Sequence, residues 1–357
     1  MQPLDDMPHP TPVAEPQLSK GPPPLTITNV NPLEHADAIK QLFLTHERPE
    51  FPTFFDRAYP EAVAEGANGW VGRDAAGRIC AYVAQFPRRF GFGDRVVRGA
   101  LLGNLMVATA YRTFFPGVAL MRRAVTDLRE SGAADFAYGD PNELARPVAE
   151  AAGLRKVGTL RRFVLPLTDR RAAIGLGIRA YRAVKRWQTR ALPLVATERR
   201  PGDEPNPADL FPLGDPQSLR PLRTTSIYRG RLAGYPAPGD RWFACFRKDS
   251  PGALVGRALV RGPDAQGVAT LCVWECEPLA RLSSQLMALG DHLRERGAER
   301  LEVYVMVGSR AERKFRRAAF LPREELVTVI ARGFTTVGSE VVAAAAGWRI
   351  LPVDLDR

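Results

Sequence analysis

The stretch VATAYRTFFPGVALMRRAV, Val107 to Val125, changes character at its middle. An apolar lead-in suited to a strand runs to Arg112. Phe114, Phe115, Pro116 and Gly117 follow, and then Val118, Leu120, Met121 and Val125 recur at helical spacing. The pattern predicts a helix over 117–131, stopped by Gly132. A helix N-terminus presents N–H groups and a positive dipole end to an anion, and Arg112 stands where a guanidinium would add a charge-assisted bond. Phe115 occupies a place where a phosphate-cradling turn favours glycine, so the direction of its ring decides whether the backbone is accessible.

On either side of this stretch the periodicity alternates. Leu25 to Val30 reads as a strand, and HADAIKQLFLTHE as a helix with Ile39, Leu42 and Phe43 on one face. GWVGRD and RICAYVAQFPRRFGFG read as a hairpin turning at Asp74 to Gly77, followed by the strand VVRGALLGNLMVAT. THERPEFPTFFDRAYP, between the first helix and the hairpin, reads as a loop rich in aromatic residues and proline. Downstream come a strand (ADFAYGD), a short helix (PNELARPVAEAAG) and a closing strand (LRKVGTLRRFVLPL).

Residues 205–334 repeat this kind of order. A helical segment (DPQSLRPLRTTSIYRGRLA) precedes three strands (RWFACFRK, ALVGRALVRG and GVATLCVWECEP), with a turn at Ser250, Pro251 and Gly252 between the first two. The amphipathic helix LARLSSQLMALGDHLRERG follows, with His292 read as a solvated residue, then a strand, a short helix and a closing strand. Two halves with one order of elements predict a degenerate tandem repeat. Between them, Arg170 to Val195 alternates cations with Ile174, Ile178, Tyr181, Val184 and Trp187. That is a basic amphipathic helix, read first as packing its apolar side between the halves and second as a peripheral membrane contact. ATERRPGDEPNPADLF then reads as a linker.

The chain has 357 residues, 45% of them hydrophobic and 25% charged, enough for two domains with cores of their own. No run of about 18 apolar residues predicts a membrane-spanning helix. Residues 1–24, rich in proline and lacking the apolar segment of a secretory signal, read as a disordered tail. Cys80, Cys245, Cys272 and Cys276 lack the paired spacing of a zinc site and read as reduced core thiols of a cytoplasmic protein, so no metal is expected. The formal charge of +11 suits an anionic partner such as a phosphorylated cofactor. Its arginines are scattered and no nucleic-acid motif accompanies them, so nucleic acid is not the expected partner.

The first half resembles the GNAT superfamily of N-acetyltransferases. In that family a strand leads into a V-x-P-x-Y-R-x-x-G-x-G/A turn whose N–H groups, with the following helix, hold the pyrophosphate of acetyl-CoA. Arg112 and Gly117 fall at matching positions and Phe115 replaces the first glycine. FAYGDPNELARPVAEAAGLRKVG is similar to the family's closing portion: Asn142, Ala145 and Gly153 match, and Leu154 takes an aromatic place. The resemblance implies an α+β fold of two tandem GNAT-like acyl-CoA N-acyltransferase domains, a mixed and mainly antiparallel sheet flanked by helices. The halves would be 25–168, with the acyl-CoA site, and 205–357, degenerate, joined by 169–204.

It further implies acetyl-CoA or another acyl-CoA as co-substrate, and a small-molecule amine or amino-sugar acceptor. Cofactor contacts would come from the backbone of Leu105, Met106 and Val107, from Arg112, Thr113, Gly117 and Val118, and from Asn142, which reads equally as a helix N-cap. Glu47, Glu50, Tyr138 and Asp140 are the candidates for catalytic acid–base work. Many members place a tyrosine seven residues after the matching asparagine, where it protonates the departing thiolate; here that residue is Ala149. The equivalent turn of the second half, CEPLARLSSQLM, has neither the arginine nor the glycines, so its site is expected to be lost. Two readings stay open, a working N-acyltransferase and a catalytically inactive tandem binding or scaffold protein.

Overall fold

The computed structural model describes residues 25–46, 48–168, 180, 183–184, 194–199, 219–222, 241–247, 250–276, 281–345 and 348. The first half contains β1 (Thr26–Val30), α1 (Ala36–Thr45), α2 (Phe51–Ala64), β2 (Asn68–Arg73) and β3 (Ile79–Phe92). It continues with β4 (Arg95–Val107), α3 (Phe114–Glu130), β5 (Phe136–Gly139), α4 (Arg146–Ala151) and β6 (Arg155–Pro166). The second half contains β7 (Leu194–Arg199), β8 (Leu219–Pro221), β9 (Arg241–Arg247), β10 (Ser250–Arg261) and β11 (Val268–Cys276). α5 (Leu282–Glu295), β12 (Arg300–Met306), α6 (Arg310–Arg317), β13 (Leu321–Gly333) and α7 (Thr336–Ala343) complete it.

Local chemistry sets most of these elements. Ile39, Leu42 and Phe43 of α1 are buried together, as their i, i+3, i+4 spacing requires. The β2–β3 hairpin closes where the Asp74 carboxylate accepts the N–H groups of Ala76 and Arg78, each at 2.9 Å, while Gly77 takes φ +77°.

The strands form one sheet in the order β1-β2-β3-β4-β5-β13-β6-β12-β11-β10-β9-β7, with β8 alongside β3. Read outward from its centre, the order is the same on both sides. The closing strands are exchanged: β13, from the second half, lies between β5 and β6, and β6, from the first half, lies between β13 and β12. Pairing is antiparallel except between β4 and β5 and between β11 and β12. Alternate residues of β13 enter different layers: Val327, Val329 and Ala331 join the core beneath α1 and α2, whereas Ile330 joins the one beneath α3 and α4. Trp348 packs on Phe136 and Tyr138 with ring centroids at 5.7 and 6.3 Å, so residues after β13 also support β5.

Several segments differ from the sequence-based expectation. The proline-rich stretch before the hairpin is helical from Phe51, not a loop: Pro52 sits in the first turn, where its missing N–H is not needed, and Phe51, Phe55 and Tyr59 align on one buried face. α3 starts at Phe114 rather than Gly117, because Pro116 also fits a first turn. Leu194–Arg199, read as the end of the basic helix and the start of the linker, is the edge strand β7, pairing with β9. Leu219–Pro221, read as helical, is the strand β8 against β3. Ser250, placed in a turn, already pairs with Arg247. His292 is half-buried with its ring 5.3 Å from Phe243, and burial lowers its pKa. Most of the basic helix read at 170–195, and of the linker after it, lies outside the described residues.

Strand exchange predicts that neither half is self-sufficient. A fragment ending at residue 168 leaves β5 without β13 and exposes both edges of the gap. It is expected to give no cooperative unfolding transition by circular dichroism, and mixing with residues 169–357 should restore one.

Candidate functional site

The site forms where two parallel strands part. β4 and β5 pair at Gly99–Phe136, Ala100–Ala137 and Leu101–Tyr138, and no further. Gly139 stands at the vertex: a Cβ there would lie 2.8 Å from the Leu102 carbonyl oxygen, so only glycine allows this approach. Beyond it, the Leu102–Leu105 segment of β4 lines a cleft of about 280 Å³. Phe43 and Leu101 reach the cleft from the α1–α2 side, and Met121, Ala149, Leu154 and Ile330 from the α3–α4 side. The opening therefore connects the two faces of the sheet. Ile330 comes from the exchanged strand, so the second half builds part of this wall.

A bulge shapes the β4 side. Tyr82 pairs with Met106 and Ala84 with Gly103, so Asn104 and Leu105 together oppose Val83 alone. Asn104 takes φ +53°, a left-handed conformation that asparagine tolerates better than most residues. Its Nδ2 donates to Tyr59 Oη at 3.0 Å.

At the end of β4 the chain makes a short 3-10 turn (Thr109–Tyr111) and enters α3. Arg112 is exposed and folds back on the strand, Nε donating to the Val107 carbonyl at 3.2 Å and Nη2 to Met106 Sδ at 3.7 Å. A Cβ on Gly117 would lie 3.3 Å from Val148 Cγ1, so this glycine serves close packing of α3 on α4. Phe115 is 79% exposed and does not enter the cleft. Thr113 is exposed and Val118 buried.

The remaining residues named from sequence separate into groups. Leu105, Asp140 and Asn142 line the cleft. Asn142 Oδ1 accepts the Ala145 N–H at 2.9 Å, which caps the turn into α4. Met106 and Val107 carry the strand onward and anchor Arg112. Glu50 is held by an ion pair with Arg48, and the hydrogen bond from Arg48 keeps its carboxyl below the usual range, which makes it a weaker base. Arg48 itself lines the cleft. Tyr138 is fully buried, its ring against Phe90, Phe136 and Trp348, and is not among the lining residues. Glu47 lies outside the described residues. Sequence reasoning missed Phe43, Arg48, Asn104 and Ile330; the one usable signal was the Gly103-Asn104 pair inside an apolar strand, a mark of a bulge.

No protein-family model and no curated protein sequence matches the chain. Solved structures do match it. A conserved protein of unknown function from Enterococcus faecalis V583, described as a probable N-acyltransferase, superposes with a TM-score of 0.61 at 11% identity over 87% of this chain and 73% of its own. A GCN5-related N-acetyltransferase from Anabaena variabilis gives 0.62 at 10% identity over 88% and 74%. Saccharomyces cerevisiae N-myristoyltransferase, solved with bound myristoyl-CoA, gives 0.51 at 13% identity over 92% and 83%. The chain has the GNAT fold.

Within this GNAT fold the two halves fill equivalent places differently. Gly153 and Ala319 both take positive φ, +93° and +69°, after α4 and α6. The next residue in each case, Leu154 or Phe320, donates its N–H at 3.1 Å to the carbonyl of Ala149 or Phe315. Ala149 and Phe315 are therefore counterparts. Ala149 leaves the first cleft open. Phe315 is fully buried and packs edge-to-face on Trp274 at 5.7 Å, Trp274 lying on β11 beyond the Thr270–Glu302 pair where β11 and β12 part. The first turn of α5 is buried too, with Ser283 Oγ donating to the Lys314 carbonyl at 2.8 Å.

These packings give opposite expectations for two phenylalanines. Phe315→Ala should cost about 3–5 kcal/mol in denaturant unfolding, from the cavity left beside Trp274. Phe115→Ala should stay within about 0.5 kcal/mol of wild type.

Proposed function

We propose that the chain is an acyl-CoA-dependent N-acyltransferase, acetyl-CoA being the preferred donor and an amine of a small molecule or sugar precursor the acceptor. The observation that carries this reading is the cleft through the sheet at the β4–β5 vertex, with Arg112 and the α3 N-terminus at the end of β4. A pantetheine arm is a narrow, amide-bearing chain suited to a strand edge such as Leu102–Leu105, and a pyrophosphate suits a helix N-terminus beside a guanidinium. The exposed ring of Phe115 supports the fit, since it does not fill the cleft.

In direct transfer, the acceptor nitrogen attacks the thioester carbonyl carbon; the C–N bond forms, the C–S bond breaks and CoA leaves as thiolate. The ammonium proton needs a base, and Asp140 on the cleft wall is the favoured candidate. Ala149 supplies no acid, so water would protonate the thiolate. The acceptor would approach from the α1–α2 side, past Phe43 and Arg48. Reaction in the cytoplasm suits buried thiols such as Cys80, Cys245 and Cys272.

Ala149 also favours a second reading, a protein that binds acyl-CoA without turning it over. Calorimetric titration with acetyl-CoA tests the shared part: one equivalent should bind, Arg112→Ala should weaken binding about 10-fold, and Ala149→Phe, which copies the filled half, should abolish it. Absence of binding by wild type to any acyl-CoA contradicts both readings. Release of CoA with any amine of a broad panel, lost in Asp140→Asn, decides for the enzyme; binding with no release across the panel decides for the binding protein.

A further inference from the structure

Tyr59 and Tyr82 are fully buried, yet their hydroxyls meet directly behind the cleft wall. Tyr82 Oη donates to Tyr59 Oη at 3.3 Å, and Asn104 Nδ2 donates to the same oxygen at 3.0 Å. Burial pushes the Tyr82 phenol far above its ordinary range, which keeps it protonated as a donor. Tyr59 belongs to α2, whose ring stack of Phe55 on Tyr59 at 4.0 Å, with Phe86 edge-on at 5.4 Å, leaves its hydroxyl little freedom. Asn104 is the residue with positive φ in the β4 bulge, and it lines the cleft. A side-chain amide on a residue with left-handed backbone is thus tied to the helix that packs over β3 and β4.

We infer that Tyr59 is a positioning residue: through the Asn104 amide it holds the β4 bulge in the register that presents the Gly103–Leu105 backbone to the acyl carbonyl of the bound thioester. This rests on the acyl-CoA reading above. Without the tether, Asn104 can leave the left-handed region, and the bulge can slip along β3. The loss would fall on recognition of the acyl group and spare the phosphate contacts at Arg112. The reading is specific because CoA without an acyl group occupies the same cleft but lacks the carbonyl.

The test compares dissociation constants for acetyl-CoA and for free CoA. Tyr59→Phe should weaken acetyl-CoA about 5-fold while changing CoA less than about 2-fold, the scale of one lost hydrogen bond. Asn104→Gly also removes the tether, and glycine leaves the left-handed region freely, so it should lose the ratio as Tyr59→Phe does, and adding Tyr59→Phe to it should cause no further loss. Asn104→Ala, which lacks both the amide and the tolerance of positive φ, should lose the ratio at least as fully as Tyr59→Phe. If Tyr59→Phe does not fold, as judged by its melting transition, loss of the ratio in both Asn104→Gly and Asn104→Ala decides alone. An unchanged ratio in Tyr59→Phe or in Asn104→Gly, equal losses for both ligands, or a further loss when the two substitutions are combined would overturn the inference and leave the acyl-CoA reading standing. Wild type binding neither ligand would overturn both.

Discussion

The antiparallel pairing of β13 with β5 and β6 is the contact on which the rest depends. β5 is a four-residue strand held on one side by three parallel pairs to β4. Its other side is closed by Ile330–Gly139 through Gly333–Phe136, and that partner strand arrives from more than 180 residues away in the chain. Parallel pairs are slightly weaker per residue than antiparallel ones, so the second half supplies much of what fixes β5 in place. The same strand positions Ile330 in the cleft, and the segment after it brings Trp348 onto Phe136 and Tyr138. A vertex that must stay open on one side needs rigid support on the other, and the exchanged strand gives it.

The sheet order is the same in the two halves, but equivalent positions are filled differently. Where the first half has Ala149 beside the opening, the second has Phe315 locked against Trp274. Burying two such rings stabilises that core by several kcal/mol, which an open cleft forgoes. One half can be read as packed for stability and the other as left incomplete for a ligand, with the closing strands making the stability of the first a property of both.

Much of the fold was legible where local chemistry decides it. The α1 stripe of Ile39, Leu42 and Phe43, the Asp74–Gly77 turn and the order of strands and helices around Val107–Val125 all follow from periodicity and turn residues. The α2 helix was hidden because Pro52 and Pro60 resemble loop punctuation; Pro52 is harmless in the first turn, and Pro60 stands inside the helix, where proline is disfavoured. β7 and β8 are short and lie among charged and proline-rich residues, which masks their alternation. Exchange of β6 and β13 left no local signal at all, since either strand has the same pattern whichever neighbour it pairs with. Of the cleft residues, Asn142 could be named from motif spacing and Asp140 from its place just before it, whereas Tyr138 could not be told apart from a cleft residue: its neighbours alternate in the same way, and Phe90 and Trp348, both distant in sequence, pack against it. Asn104 and Tyr59 lie 45 positions apart and meet only because α2 folds over β4.

The central claim is that a single opening, at the β4–β5 vertex, receives the acyl-CoA. A crystal structure of the protein with acetyl-CoA tests this most directly. The account predicts one molecule per chain, its thioester between Gly103–Leu105 of β4 and Gly139–Asn142, and its pyrophosphate at Arg112 and the first turn of α3. Density for the thioester between β11 and β12, or a cofactor bound outside the sheet with the first cleft empty, would contradict it.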